Sequence, residues 1–140
     1  MRSGYAVLGD TQHLPGYCVL LSNVDGADHL TDLPRPARFA FLADMAMLGE
    51  AVLVACRAAD PGFLRVNYEI LGNYVHRLHG HVHARYEWEP EEYRIGPVWR
   101  YPHEVRNAAE DALGPVHDKL REAIATELEA IMAQEYGSTA

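Results

Sequence analysis

Apolar and polar positions change period several times along this chain, and each change marks an element. Residues 4 to 8 read as a short strand. Gly9-Asp10-Thr11-Gln12 and then Pro15-Gly16 carry the backbone freedom and local hydrogen bonding of turns. Tyr17-Cys18-Val19-Leu20-Leu21-Ser22 is rich in β-formers and bounded by turn residues, which predicts a buried strand paired with the first. After Asp32-Leu33-Pro34-Arg35-Pro36 the composition turns to Ala, Leu, Met and Phe from Ala37 to about Ala59, the strongest helix signal in the chain. That helix is apolar on almost every side, so it must lie against the sheet and also meet a second helix or another subunit. Met45 and Met47 read as core fillers.

Asp60-Pro61-Gly62 ends the helix, Phe63 to Ile70 is a further strand, and Gly72-Asn73 suits a tight turn. Val75 to Tyr86 follows as the next strand, and the short separation predicts an antiparallel hairpin in the centre of the sheet. Glu87 to Pro102 is acidic, aromatic and proline-bearing, an ordered surface loop. His103 to about Gln134 reads helical with a break at Gly114-Pro115. Val116, Leu120, Ile124, Leu128 and Ile131 then form an amphipathic stripe. The 140 residues fit one domain, with a core over about 5–90 and a loop and C-terminal helices over 91–140.

Composition narrows the partners. With 49% hydrophobic and 23% charged residues the chain is ordinarily globular. Twenty acidic against 12 basic residues give a formal charge of −8, without the basic footprint that long nucleic acid needs. Lys119 is the only lysine, so the cations are arginines, able to grip phosphate through paired hydrogen bonds. Cys18 and Cys56 lie in no metal-binding spacing and read as buried free thiols of a cytoplasmic protein. The N-terminus has too short an apolar run for a signal-peptide core. Arg38, Asp44 and Glu50 interrupt the most apolar segment, so no membrane span is expected.

The chemistry concentrates in Val75 to Tyr86, which holds four of the eight histidines. On an extended strand Arg77, His79, His81, His83 and Arg85 share one face, while Leu78, Gly80, Val82 and Ala84 take the other. Three accounts compete. Isolated histidines in strands are ordinarily packed or solvated, an account strained by four within eight residues. A metal site would draw on His79, His81 and His83, yet same-face neighbours stand about 6.6 to 7 Å apart, awkward for three ligands, and the arginines disfavour a cation. A phosphate site uses nearly every member: a neutral imidazole attacks phosphorus while the other cations hold its oxygens.

These residues resemble the histidine triad family of nucleotide hydrolases and transferases, whose motif is His-φ-His-φ-His-φ-φ with φ hydrophobic. Spacing alone matches His79-Gly80-His81-Val82-His83-Ala84-Arg85. Gly72-Asn73 before and Ala84-Arg85 after favour a second register, with Arg77, His79 and His81 at the triad positions. Leu14 to Leu20, with its Pro-Gly, and Leu30-Thr31-Asp32-Leu33-Pro34 extend the resemblance over roughly residues 5 to 90. Asn67 to Asn73 is similar to a bacterial branch in which the first triad histidine is replaced.

The resemblance implies an α+β fold, an antiparallel sheet of about five strands with a long helix packed on it and a C-terminal helical extension. It implies a homodimer and a metal-free, cofactor-free reaction in which the middle histidine attacks the α-phosphate of a dinucleoside polyphosphate or a nucleoside monophosphate ester or amidate. Carried over, His79 is the nucleophile, His81 binds a phosphate oxygen, and Asn73, Arg77 and Arg85 contact phosphate. Gly9 falls where the family holds the ribose, with Asp10 a candidate substitute. Gly80 and His83 depart from the pattern, His83 being a candidate accessory residue. The alternatives are a nucleotide- or phosphate-binding protein without turnover, and a metal-binding histidine cluster. Trp88 and Trp99 read as packing anchors before base-stacking residues, and His103 and His117 as solvated or capping.

Overall fold

The computed structural model describes residues 1–137; positions 138–140 of the expected single domain lie outside the described residues. Strands β1 (Gly4–Leu8), β2 (Cys18–Ser22), β3 (Phe63–Glu69) and β4 (His79–Tyr86) form one antiparallel sheet in the order β1-β2-β4-β3. The sheet has four strands among the described residues, not about five. Residues after β4 fold instead into short helical turns, α2 (Glu91–Arg94), a 3-10 turn at Val98–Arg100 and α3 (His103–Arg106). Pro90, Pro97 and Pro102 each stand immediately before one of these turns. Proline has no N–H to give a ladder, and its fixed φ suits a helix entry.

β3 and β4 pair antiparallel as expected, but β3 is an edge strand and only β4 is central. β4 also begins at His79 rather than Val75. The N–H of Arg77 closes a tight turn on the Val75 carbonyl at 2.9 Å, and the N–H of Leu78 goes to the Ala27 carbonyl at 2.8 Å. Those bonds remove residues 75–78 from the β3 ladder.

Helix α1 (Arg35–Ala59) lies across β2, β3 and β4 and meets α4 (Asp118–Tyr136) on another side, which is the second helix its all-round apolarity required. It is long and apolar enough to cross a bilayer, yet Phe41, Leu48, Val52 and Cys56 are fully covered as the centre of the core. Each such side chain contributes about 1.5–3 kcal/mol by leaving water. Asp44 is equally buried, and its carboxylate accepts the N–H of Ser3 at 2.7 Å, the hydroxyl of Ser3 at 2.5 Å and that of Tyr136 at 2.6 Å. The buried charge thus has its partners and ties the N-terminus, α1 and α4 together.

The expected C-terminal helix is shorter than its sequence signal. Residues 103–117 form three separate short turns, and α4 starts at Asp118. Gly114 donates its N–H to Nδ1 of His117 at 3.1 Å, so His117 caps the turn that leads into α4. Ile124 and Leu128 of the predicted stripe are core residues, whereas Val116 is 84% exposed because it precedes the helix.

Candidate active site

The β4 ladder determines which side chains share a face. His79 stands opposite Leu21, and His81 opposite Val19 on one side and Glu69 on the other; His83 stands opposite Asn67. Residues directly opposite in an antiparallel pair project to the same side. The histidine face therefore also carries Leu21, Val19, Asn67 and Glu69, and through β1 it continues to Tyr5 and Val7, both exposed. The other face of β4 packs on α1. There a Cβ on Gly80 would come within 2.8 Å of Sδ of Met45, which accounts for a glycine where the family pattern has a bulkier residue.

The three histidines differ sharply. His79, at the start of the strand, is half-buried, and its Nδ1 lies 2.6 Å from the carbonyl oxygen of Arg77. A carbonyl only accepts, so Nδ1 carries the proton and a neutral His79 presents a bare Nε2. A cleft of about 210 Å³ opens beside it, lined by Asp28, His29, Thr31 and Gly72 among others.

His81 is 9% exposed, and its Nδ1 is 2.8 Å from the Tyr17 hydroxyl. Burial, with the neighbouring His79, pulls its pKa down to about 4, so it is neutral at physiological pH. Burial also pushes Tyr17 up to about 12, with the charge of Asp10 adding to the effect, which keeps the phenol protonated.

His83 is 3% exposed. It stacks on Tyr17 at 4.2 Å and meets the Trp99 ring edge-on at 5.5 Å. Burial first, then His81, Arg85 and Arg106, lowers its pKa to about 3.

The expected phosphate role of Arg85 does not agree with its surroundings. Its Nε–H and one Nη2–H go to the carboxylate of Glu89, with the closest contact at 2.8 Å, and Nη1 donates to Oδ1 of Asn67 and the carbonyl of Gly96. The remaining Nη2–H goes to the carbonyl of Tyr93 at 3.0 Å. All five guanidinium donors are taken, and the side chain is 2% exposed. Arg85 is thus a buried anchor that fastens the segment after β4 to the sheet. Burial pushes the Glu89 carboxyl up, but bonds from Arg85, the Tyr86 N–H and Tyr101 outweigh it and hold the group below the usual range.

Arg77 lies outside the strand and is exposed, with Nη2 donating to the Ser22 carbonyl at 3.0 Å. It is therefore displaced from the row in which a strand beginning at Val75 would have put it. Asn73 is exposed in the loop just after Gly72, the glycine that lines the cleft of His79 with a φ of +69°. Asp10 is exposed and lines a different cleft, of about 200 Å³, at the His83 end of the row. No group of three His, Cys, Asp or Glu side chains converges to hold a metal ion among the described residues.

Tyr17, Glu69 and Arg106 are neighbours of the histidine row that sequence reasoning missed, while Trp99, read there as a packing anchor, does pack on it. Trp99 covers both His81 and His83, held by its Nε1–H on Glu69 at 2.5 Å, with the Arg106 guanidinium 4.9 Å above its ring. Trp88 instead stacks on Tyr86 and donates to Asp60, away from the histidine face. No pattern within the sequence pairs Tyr17 with His81, 64 residues apart; only the β2–β4 register does.

No family model matches the sequence, and no curated protein matches it. Solved structures do. A histidine triad protein from Marinobacter aquaeolei is 23% identical, with a TM-score of 0.67 over 95% of this chain and 85% of that one. One from Sinorhizobium meliloti is 21% identical, with a TM-score of 0.68 over 92% and 84%, and one from Bradyrhizobium japonicum is 17% identical, with 0.64 over 93% and 84%. With a four-stranded antiparallel sheet carrying a long helix and a C-terminal helix, this chain has the α+β fold of histidine triad proteins.

Proposed function

We propose that this protein is a nucleotidyl hydrolase or transferase in which His79 attacks the α-phosphate of a dinucleoside polyphosphate or a nucleoside monophosphate ester or amidate. The carrying observation is the 2.6 Å bond from His79 Nδ1 to the Arg77 carbonyl, which leaves Nε2 of a half-buried ring free as a nucleophile. His83 is 3% exposed where His79 is half-buried, which supports the register with Arg77, His79 and His81 at the triad positions. In this reading Nε2 bonds to phosphorus while the bond to the leaving group breaks, and the leaving group departs with the electron pair and takes up a proton. Water then attacks phosphorus, breaks the nitrogen–phosphorus bond and releases the nucleoside monophosphate, or another acceptor takes the nucleotidyl group in its place. With the Tyr17 hydroxyl donating to Nδ1 of His81, Nε2 of His81 carries a proton for a phosphate oxygen. Arg77 and Asn73 supply further phosphate contacts from the loop, the apolar surface of Tyr5 and Val7 gives a base a face to lie on, and Asp10 is the ribose candidate.

Intact mass after brief mixing with substrate tests the proposal. A protein heavier by one nucleoside monophosphate, absent in His79→Ala, is the expected result. Tight nucleotide binding with neither adduct nor turnover would make the protein a binding module instead. The same reading implies a homodimer, supported by Phe39, Leu42 and Val54, exposed along one side of α1; sedimentation at micromolar concentration should give twice the 15.7 kDa chain mass.

A further inference from the structure

The reaction assigned to His79 leaves one proton without a source. When the bond from phosphorus to a basic leaving oxygen breaks, that oxygen keeps the electron pair and needs a proton. Arg77, at the first triad position of the preferred register, does not supply it: a guanidinium stays protonated at any physiological pH, and its Nη2 is committed to the Ser22 carbonyl at 3.0 Å. His81 and His83 do not supply it either. Burial, with neighbouring charges adding to it, brings their pKa values down to about 4 and about 3, so at neutral pH each holds a single ring proton, and losing that one would leave an anion.

The fold brings another imidazole to the cleft of His79. The N–H of Leu78 bonds to the Ala27 carbonyl at 2.8 Å, which lays the segment after Ala27 beside the start of β4. Asp28 and His29 consequently line the same cleft of about 210 Å³ as His79. Their backbone is pinned, because the N–H groups of His29 and Asp28 both go to Oδ2 of Asp32, at 2.9 and 3.0 Å. Those two bonds, the one from His29 first, hold the Asp32 carboxyl below the usual range. Asp28 in turn presents its Oδ2 to two rings, Nδ1 of His76 at 3.2 Å and Nε2 of His29 at 3.6 Å. A carboxylate beside an imidazole fixes which nitrogen faces it, and an imidazole gives up and recovers a proton near neutral pH. Of the two rings, His29 is the one that lines the cleft, and its side chain is 63% exposed, within reach of a leaving group that extends outward from phosphorus.

We propose that His29 is the general acid for the leaving group, with Asp28 as its positioning residue. In the first step Nε2 of His79 bonds to phosphorus, the bond to the leaving oxygen breaks, and a proton passes from the His29 imidazolium to that oxygen, leaving His29 neutral. In the second step neutral His29 takes a proton from the water that attacks phosphorus, the electron pair of the nitrogen–phosphorus bond returns to Nε2 of His79, and the imidazolium is restored. This deepens the assignment of His79 as the nucleophile and rests on it.

The phenyl and p-nitrophenyl esters of one nucleoside monophosphate, its base chosen among the four by wild-type turnover, separate the roles in single-turnover release of the phenol by the full chain. p-Nitrophenoxide leaves without a proton, whereas the more basic phenoxide leaves with one. A general acid contributes roughly 10²–10⁴-fold, so His29→Ala should slow phenol release by at least about 100-fold and p-nitrophenol release by less than about threefold. Asp28→Asn should show the same selectivity with a loss of about tenfold on the phenyl ester. A merely structural role lowers both esters together, so equal losses in His29→Ala, or none, overturn the assignment. So does a selective loss in His76→Ala while His29→Ala keeps wild-type rates. A wild-type chain that forms no adduct and releases neither phenol with any base fails as a nucleotidyl enzyme, and the general acid falls with it. An adduct accompanied by unselective losses leaves His79 as the nucleophile and removes only His29.

Discussion

The two ends of β4 offer a controlled comparison, since His79 and His83 project from one strand on one face and differ only in what surrounds them. At the first end the loop carbonyl of Arg77 orients a half-buried imidazole beside an open cleft. At the other end Tyr17 and Trp99 enclose an imidazole whose Nε2 has no partner, and Arg85 beside it is locked by Glu89. Residue type is the same at both ends; exposure and the anchored Nδ1 separate an open ring from a packed one. An imidazole is chemically useful where one nitrogen is anchored and the other is free.

The sharpest way to break this comparison is mutational. His79→Ala should lower kcat by at least about 10³-fold and abolish the adduct, while His83→Ala should lose no more than about tenfold. Measured turnover in the reverse order would move the nucleophile to His83. The next largest effect belongs to the packed end. Arg85→Ala strands the Glu89 carboxylate in the core and should destabilise the fold by about 3–5 kcal/mol in denaturant melts, whereas Arg77→Ala, at the exposed end, should change stability by less than about 0.5 kcal/mol.

Acid should act through the buried rings. His81 and His83 remain neutral in the folded chain down to about 4 and about 3, while in the unfolded chain imidazoles take up protons below about 6.5. The unfolded state then binds more protons, so stability is full above pH 6.5 and falls as pH drops towards 3. A melting temperature that is flat between pH 7 and pH 4 would contradict the burial of both rings, and His83→Leu should reduce the slope. A smaller effect tests the turn that carries Tyr17 to His81. Gly16 has a φ of +93°, and a Cβ there would collide with Sγ of Cys56, so Gly16→Ala should cost about 1–3 kcal/mol in the same melts.

Much of the frame was legible because it follows local rules. The β-rich run before Ser22, the apolar stretch before Asp60 and the alternation after Leu78 each name an element from its own residues. The errors fall where bonds cross between elements. Arg77 left the predicted row because Leu78 bonds to Ala27 instead of to β3, and Arg85 looked like a phosphate clamp until Glu89, Asn67 and the Tyr93 and Gly96 carbonyls took its donors.

By itself, then, the sequence determined which residues alternate on a strand, where the long apolar helix runs, and that imidazoles concentrate between Val75 and Tyr86, since periodicity and turn chemistry act over a few neighbours. Only the tertiary structure decided which histidine is oriented, which is enclosed and which arginine is spent. Tautomer, burial and hydrogen-bond saturation depend on residues such as Tyr17, Glu89 and Trp99, which the chain brings to the row only by folding.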